Sequence, residues 1–347
     1  MTDKVERYAS SGGARVYRLP LEVFPGFWGY AHLVLADGFS GLVDSGSGFG
    51  KSNDDLEAGL EVVRQEYGEH VGWDSLSHLL ITHGHIDHFG GLRYVREHTS
   101  APLGVHELDL RVLTNYEERV RVTAHRLREF LTEAGVGQDE ANEAMDQYLV
   151  NKQLFASLPV DFTYEAVGMK VGPLEITHVP GHCPGHVVML VDDILLAGDH
   201  ILKEISPHQA PETLSHNTGL GHYLQSLEKI RPLAKTVRVT LGGHQGAVEN
   251  LADRIDAIEG LHRERLGKVL GMMNGSRTIA EIAHGLFPSV HGYNVLLALE
   301  EAGAHVEYLA QRGYLGIDNL ADIEGECAVP IRYRRLGGPV PPLLGAG

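Results

Sequence analysis

Cysteine is scarce in this chain of 347 residues: only Cys183 and Cys327 occur. Two thiols cannot build a disulfide framework, so the core must hold the fold, and a reducing compartment is expected. No apolar run approaches the roughly 18 residues that a membrane span requires, so no membrane partner is expected. The opening residues, MTDKVERYASSGG, lack the apolar centre of a secretory signal, and the location this predicts is cytoplasmic. Positive charge is also in short supply. With 29 Lys and Arg against 46 Asp and Glu, the formal net charge is −17, so the surface has no general attraction for a polyanion and nucleic acid is not the expected partner.

What is present is ordinary globular material, 43% hydrophobic and 22% charged, in a chain longer than a usual single domain. Residues 15–45 alternate as strands around a turn at Gly38, which predicts an antiparallel meander. Leu56, Leu60, Val62 and Val63 keep helical spacing from Asn53 to Tyr67, with Asn53 or Asp54 as the cap. A strand, SHLLIT, leads into THGHIDHFGG and a further helix, an α/β layered order. Residues 107–158 break this order with two or three helices carrying Leu113, Tyr116, Val120, Leu127, Phe130, Met145 and Tyr148. Strands resume at MKVGPLEITHVPG, HVVMLVDD and ILLAGD, with Asp192-Asp193 as a hairpin turn, and TVRVTLGG follows one more helix. The expected division is a catalytic domain over 1–255, a smaller helical domain over 256–335 and a Pro/Gly-rich flexible tail over 336–347.

His83-Gly84-His85-Ile86-Asp87-His88 packs three imidazoles and a carboxylate into six residues at a strand end. That density of nitrogen and oxygen donors suits a borderline divalent ion such as zinc. His83 and His85 in an extended loop can converge on one ion, while Asp87 and His88, entering a helix, face another. His182, Asp199 and His244 each lie just past a predicted strand, where the loops of an α/β sandwich gather. The other histidines read as supporting or surface groups. His178 suits the core, and His200, His208, His216 and His222 do not separate by sequence. Cys183, next to His182, reads as a small buried thiol.

The pattern His83-x-His85-x-Asp87-His88, with Gly181-His182, Gly198-Asp199 and Gly243-His244, resembles the metallo-β-lactamase superfamily in its glyoxalase II-like arrangement. The resemblance spans roughly residues 15–250. It implies an αββα sandwich, here with a helical insertion and a C-terminal winged-helix-like domain. It also implies two divalent ions, zinc above all, with Fe or Mn as alternatives. His83, His85 and His182 would hold the first ion, Asp87, His88 and His244 the second, and Asp199 would bridge both. Asp44, in LVDSG, matches the family's early aspartate and would orient a histidine from outside the ligand set, with His186 in a similar supporting place. The flavodiiron branch usually places an acid where this chain has Gly84, which disfavours electron transfer.

The chemistry that follows is hydrolysis by a metal-activated hydroxide, with Asp87 moving the proton to the leaving group. Two substrate classes stay open. One is a small-molecule thioester, lactone or other ester. The other is RNA, because the C-terminal outline is similar to the winged helix of the β-lactamase-like protein 2 branch, which includes an endoribonuclease. Arg263, Arg265, Lys268, Arg277, Arg332, Arg334 and Arg335 are the bases available for an RNA surface. The insertion would act as a lid over the cleft or as the surface of a homodimer.

Overall fold

A computed structural model describes residues 4–152, 155–325 and 327–337. The tail expected over 336–347 lies, beyond Gly337, outside the described residues. The chain divides into two compact units. The first is Met1–Tyr116, Leu154–Pro207 and Lys229–Ile255, and the second is Glu117–Gln153, His208–Glu228 and Asp256–Gly347.

The first unit opens with four antiparallel strands, β1 (Glu6–Ala9), β2 (Arg15–Phe24), β3 (Phe27–Ala36) and β4 (Phe39–Val43), followed by helix α1 (Ser52–Gln65) and strand β5 (His78–Leu80). Helices α2 (Ile86–Phe89) and α3 (Leu92–His98) and strand β6 (Leu103–Val105) come next, then helix α4 (Leu110–Thr114). After helices α5 (Tyr116–Glu133) and α6 (Gln138–Lys152) come strands β7 (Phe162–Thr163), β8 (Lys170–Val171), β9 (Leu174–His178), β10 (Val187–Val191) and β11 (Ile194–Gly198). Helix α7 (Leu220–Ile230) and strand β12 (Val239–Gly242) complete the sheets.

Strands β1 to β7 form one sheet in sequence order, and β12-β11-β10-β9-β8 form the other. Their inner faces share one core, with Val16, Val34, Val43 and Leu80 from the first sheet and Ile176, Val187, Met189, Leu196 and Leu241 from the second. Strand β2 is buried on both faces. Val16 turns inward, while Leu19 lies under α1, where a Cβ on Gly59 would stand 3.3 Å from the Leu19 Cβ. The β10–β11 turn is the one read from Asp192-Asp193, with Asp192 at φ 53° and Val191 opposite Ile194.

Helix α1 differs at its start. Neither Asn53 nor Asp54 caps it: both fall in the first turn, the cap position is Lys51, and no side chain bonds there. The nearby polar groups bond elsewhere, since Asp55 accepts the Glu22 N–H from β2 at 2.8 Å and Ser52 Oγ accepts that of Ser47 in the preceding loop at 3.1 Å. The helical stretch begins where its pattern places it, with a helical turn at Glu107–Asp109 and then α4, but it divides between the two units. Residues 107–116 and 155–158 stay with the sheets, anchored by an aromatic cluster in which Phe155 lies 4.6 Å from Phe89 and 5.1 Å from Tyr116.

The second unit contains α6, most of α5 and the last helices, α8 (Leu251–Met272) from Asp256 on, α9 (Ile279–Leu286) and α10 (Tyr293–Gln311). Strand β13 (Leu315–Ile317) follows, then a turn of helix, α11 (Leu320–Ile323), and strand β14 (Tyr333–Arg335), which pairs antiparallel with β13. A capping box starts α9: Thr278 Oγ1 accepts the Glu281 N–H at 3.2 Å and Glu281 Oε2 accepts that of Thr278 at 2.9 Å. Buried His262, Glu301 and His305 latch α8 to α10. His262 Nδ1 and His305 Nε2 are hydrogen-bonded at 3.2 Å, His305 Nδ1 donates to the Glu301 carbonyl at 2.7 Å, and Arg265 pairs with the Glu301 carboxylate at 2.8 Å. Among the described residues no helix is long and apolar enough to cross a membrane.

Leu196, fully buried between the sheets, tests this core. Leu196→Ala is expected to cost about 2–5 kcal/mol in chemical denaturation, the range for a buried leucine whose cavity cannot collapse. A change below about 0.5 kcal/mol, the level of a surface substitution, would place the core elsewhere.

Candidate metal centre

Four loops of the first unit meet at one place, and each is braced by backbone hydrogen bonds. The first leaves β5. Ile81 donates its N–H to the Tyr164 hydroxyl at 2.9 Å, and Thr82 donates its N–H to Asp44 Oδ1 at 2.8 Å. Asp44 sits at φ 62°, an unusual backbone for a non-glycine residue, and its buried carboxylate turns back across the loop. Its Oδ2 lies 2.8 Å from His88 Nδ1, which leaves His88 Nε2 pointing away from it. His83 Nδ1 is held in the same way by Thr82 Oγ1 at 3.0 Å.

The remaining loops come from the second sheet. His182 follows β9, with Gly181 at φ 137°, Asp199 follows β11, with Gly198 at φ 47°, and His244 follows β12. Gly243 admits no side chain, because a Cβ there would stand 2.6 Å from Asp199 Oδ1 and collide with the His88 ring. Strands β2 and β3 fasten the His244 loop. Arg18, fully buried, donates to the Gly242 and Gln245 carbonyls, His244 Nδ1 bonds the Trp28 carbonyl at 2.8 Å, and Tyr30 N–H bonds that of Gly243 at 2.8 Å.

The donors so placed fall into overlapping groups. His83, His85 and His182, with Cys183 beside them, offer ligand atoms within 4.8 Å of one another, as do Asp87, His88 and His244. Asp199 lies between: Oδ1 is 3.4 Å from His88 Nε2, and Oδ2 is 3.4 Å from His244 Nε2 and 3.8 Å from His182 Nε2. Asp87 Oδ2 is 3.2 Å from His244 Nε2. His186 backs the cluster, its ring stacked on His83 at 4.5 Å and its Nε2 accepting the Asp199 N–H at 3.1 Å. All seven donors expected from the sequence are therefore in one place, with Asp44 and His186 in contact with them.

The chemistry of the cluster suits cations. His83 Nε2, His88 Nε2 and Asp199 Oδ1 are buried without a hydrogen-bond partner, and these three residues form one of the close groups. Leaving such atoms dry and unmatched is costly, and a cation among them removes that cost. Burial, with His88 next, holds His83 well below its usual range, so its imidazole is neutral and free to ligate. Burial also pushes His88 and His244 down, but Asp199, Asp44 and Asp87 outweigh it at His88, and Asp199 and Asp87 raise His244 to about 10. Burial pushes Asp87 and Asp199 up, yet His88 and His244 hold both below the usual carboxylate range. The carboxylates thus favour positive charge on this side of the cluster.

Other histidines lie outside it. His178 Nε2 donates to the Pro184 carbonyl at 2.8 Å, and its ring stacks on His106 at 3.8 Å. His200 is buried 5.9 Å from the His186 ring, and His208 and His222 pair with Glu300 and Glu212 in the second unit. Several contributors had no legible pattern: Arg18 and the Trp28 carbonyl act from strands far along the chain. Thr82 did have a signal, a hydroxyl directly before the first histidine. Asp109 accepts N–H groups from two ligand loops and lies in a stretch, HELDL, with no metal signature.

Because the neighbouring carboxylates raise the proton affinity of His88 and His244, a cation competes with protons for these two imidazoles. Affinity is therefore expected to rise with pH, by about tenfold per unit for each proton released between about pH 6 and 8. Chelator competition measures it, and a flat profile would show that these imidazoles are not donors.

Comparison with known proteins agrees with this geometry. Residues 29–266 match the family model described as "Metallo-beta-lactamase superfamily". A hydroxyacylglutathione hydrolase of Shewanella sp. (strain ANA-3) is 30% identical over 148 residues, which cover 41% of this chain and 43% of that protein. The chain thus spans less than half the length of this relative. A metallo-beta-lactamase family protein from Thermus thermophilus superposes with a TM-score of 0.69 at 22% identity, covering 92% of this chain and 98% of that one. A beta-lactamase domain protein from Burkholderia ambifaria does so with a TM-score of 0.69 at 21% identity, covering 95% and 93%. At such identities the superpositions speak for the fold, and the family match over most of the length, together with the clustered donors, places this chain in the metallo-beta-lactamase superfamily.

Proposed function

We propose that this protein is a metal-dependent hydrolase of a small-molecule thioester, lactone or other ester, working with two divalent ions, zinc in the first place. The observation that carries the reading is the set of buried, mutually facing donors with unmatched atoms on His83, His88 and Asp199. His83, His85 and His182 would hold one ion and Asp87, His88 and His244 the other, with Asp199 placed between the two sets. Nitrogen and carboxylate donors of this kind suit zinc, and also iron or manganese.

Divalent ions held there would supply a hydroxide near neutral pH and positive charge beside the reacting oxygen. The protein does the rest. Asp44 and Thr82 fix the rings of His88 and His83, and the Trp28 carbonyl fixes that of His244. Asp87 is less enclosed than His83 or His88 and can carry a proton towards the leaving group. Phe27, 45% exposed with its ring 4.6 Å from that of His244, offers an apolar wall beside the donors.

Two observations favour a small ester over RNA. Hydroxyacylglutathione, the compound in the relative's name, is itself a thioester. The bases that would form an RNA surface are largely matched by acids: Arg265 by Glu301, Lys268 by Glu264 at 2.7 Å, Arg332 by Glu281 at 3.5 Å and Arg334 by Asp318 at 3.4 Å. A chain at −17 with its bases so paired repels a polyanion.

Metal-reconstituted protein is expected to carry about two ions per chain, since seven donors exceed the needs of one tetrahedral ion. One occupied site under saturating metal would remove the two-ion reading. A screen against thioesters, lactones, phosphodiesters and short RNA should show turnover on an ester class, reduced by at least about 100-fold in Asp199→Ala, with the melting temperature of the metal-free chain little changed. Cleavage of RNA without ester turnover would reverse the assignment of substrate.

A further inference from the structure

Asp109 stands outside every ligand position, yet it touches two of the loops that carry them. A short turn, residues 106–109, fixes its place: His106 Nδ1 accepts the Leu108 N–H at 3.2 Å, and the Asp109 N–H bonds the His106 carbonyl at 2.9 Å. From there the fully buried carboxylate divides its two oxygens. Oδ2 accepts the Gly84 N–H at 2.8 Å and Oδ1 accepts the Gly185 N–H at 3.0 Å. Gly84 lies between His83 and His85, and Gly185 comes three residues after His182. The loops belong to different sheets, the first leaving β5 and the second joining β9 to β10.

We infer that Asp109 is a positioning residue, whose carboxylate clamps the His83–His85 loop to the His182 loop so that these three imidazoles converge on one ion. The inference rests on the metal-centre reading above. Its physical basis is the match of charge and donors. Two N–H groups from separate loops point at one anion, an arrangement stronger than neutral hydrogen bonding and one that needs an acceptor at both oxygens. Asparagine keeps the shape and loses the function, because its amide nitrogen would face an N–H. Gly185 follows from the same contact, since a Cβ there would stand 2.6 Å from the Asp109 Cγ, and at Gly84 a Cβ would stand 3.0 Å from Val112 Cγ2 and 3.2 Å from the Asp109 Cγ. Groups that orient ligands from outside the ligand set typically contribute about 10–100-fold in metal affinity.

The test measures ion stoichiometry and the two dissociation constants by chelator competition for the wild-type chain, Asp109→Asn, Asp109→Ala and Gly185→Ala. The absorption spectrum of the cobalt-loaded forms and the melting temperature of the metal-free forms are recorded alongside. The expected result is a loss of about 10–100-fold at one ion only, in the isosteric Asn variant as in Ala, with an altered cobalt spectrum and a retained melting temperature. Gly185→Ala, which keeps the carboxylate but pushes it off its loop partners, should reproduce the selective loss even if Asp109→Ala does not fold. Wild-type affinity for both ions in Asp109→Asn overturns the clamp while leaving the metal centre standing. Equal loss at both ions with a lowered melting temperature also overturns it, by showing a general structural role. A wild-type chain that binds no divalent ion sinks the metal-centre reading itself, and the clamp with it.

Discussion

Burying imidazoles and carboxylates together, with several of their atoms left unmatched, is the constraint on which the rest of this structure depends. Each such atom gives up water on folding without gaining a hydrogen-bond partner in return. His83 Nε2, His88 Nε2 and Asp199 Oδ1 are in that position, so the folded chain is prepared for cations before any arrives. Around them the hydrogen-bonding capacity is spent on orientation. Asp44, Thr82 and the Trp28 carbonyl each take the ring nitrogen that faces away from the cluster. In the second unit His262 and His305 are just as buried; they bond one another and the Glu301 carbonyl, while His262 Nε2 is left without a partner.

The two sheets exist, in functional terms, to bring strand ends to one edge. His83 to His88 come from the first sheet, and His182, Asp199 and His244 from the second. A core of Val, Leu, Ile and Met between the sheets sets their separation, and close packing lets little of that be adjusted. Fine placement is then left to a few contacts across the gap. Arg18 on β2 holds the loop after β12, the Tyr30 N–H holds the Gly243 carbonyl, and Asp109 holds Gly84 and Gly185. Glycine recurs at these points for steric reasons, clearest at Gly243, where a side chain would occupy the space of His88 and Asp199.

Charge has a different scale in the two units. In the metal centre a handful of buried carboxylates dominates, strongly enough to raise His244 to about 10 against the effect of burial. In the second unit the charges are mostly surface pairs such as Lys268 with Glu264, worth little individually and screened by salt.

The sequence by itself determined what is local. A run of three histidines and an aspartate in six residues, glycines before His182, Asp199 and His244, the strand meander and the Asp192-Asp193 turn are all written in near neighbours, and the donors they name do converge. Contacts between distant segments left no such mark. Asp109 meets Gly185 across 76 positions and Arg18 meets Gly242 across 224, and neither pairing has a spacing that a periodicity can express. The start of α1 shows the same limit in reverse, since Asn53 and Asp54 have the right chemistry for a cap, but Asp55 and Ser52 bond elsewhere and the helix begins without one. Local patterns report which side chains are available. Only the packed fold decides which backbone group each one meets, because that depends on the distance between sheets that the whole core sets.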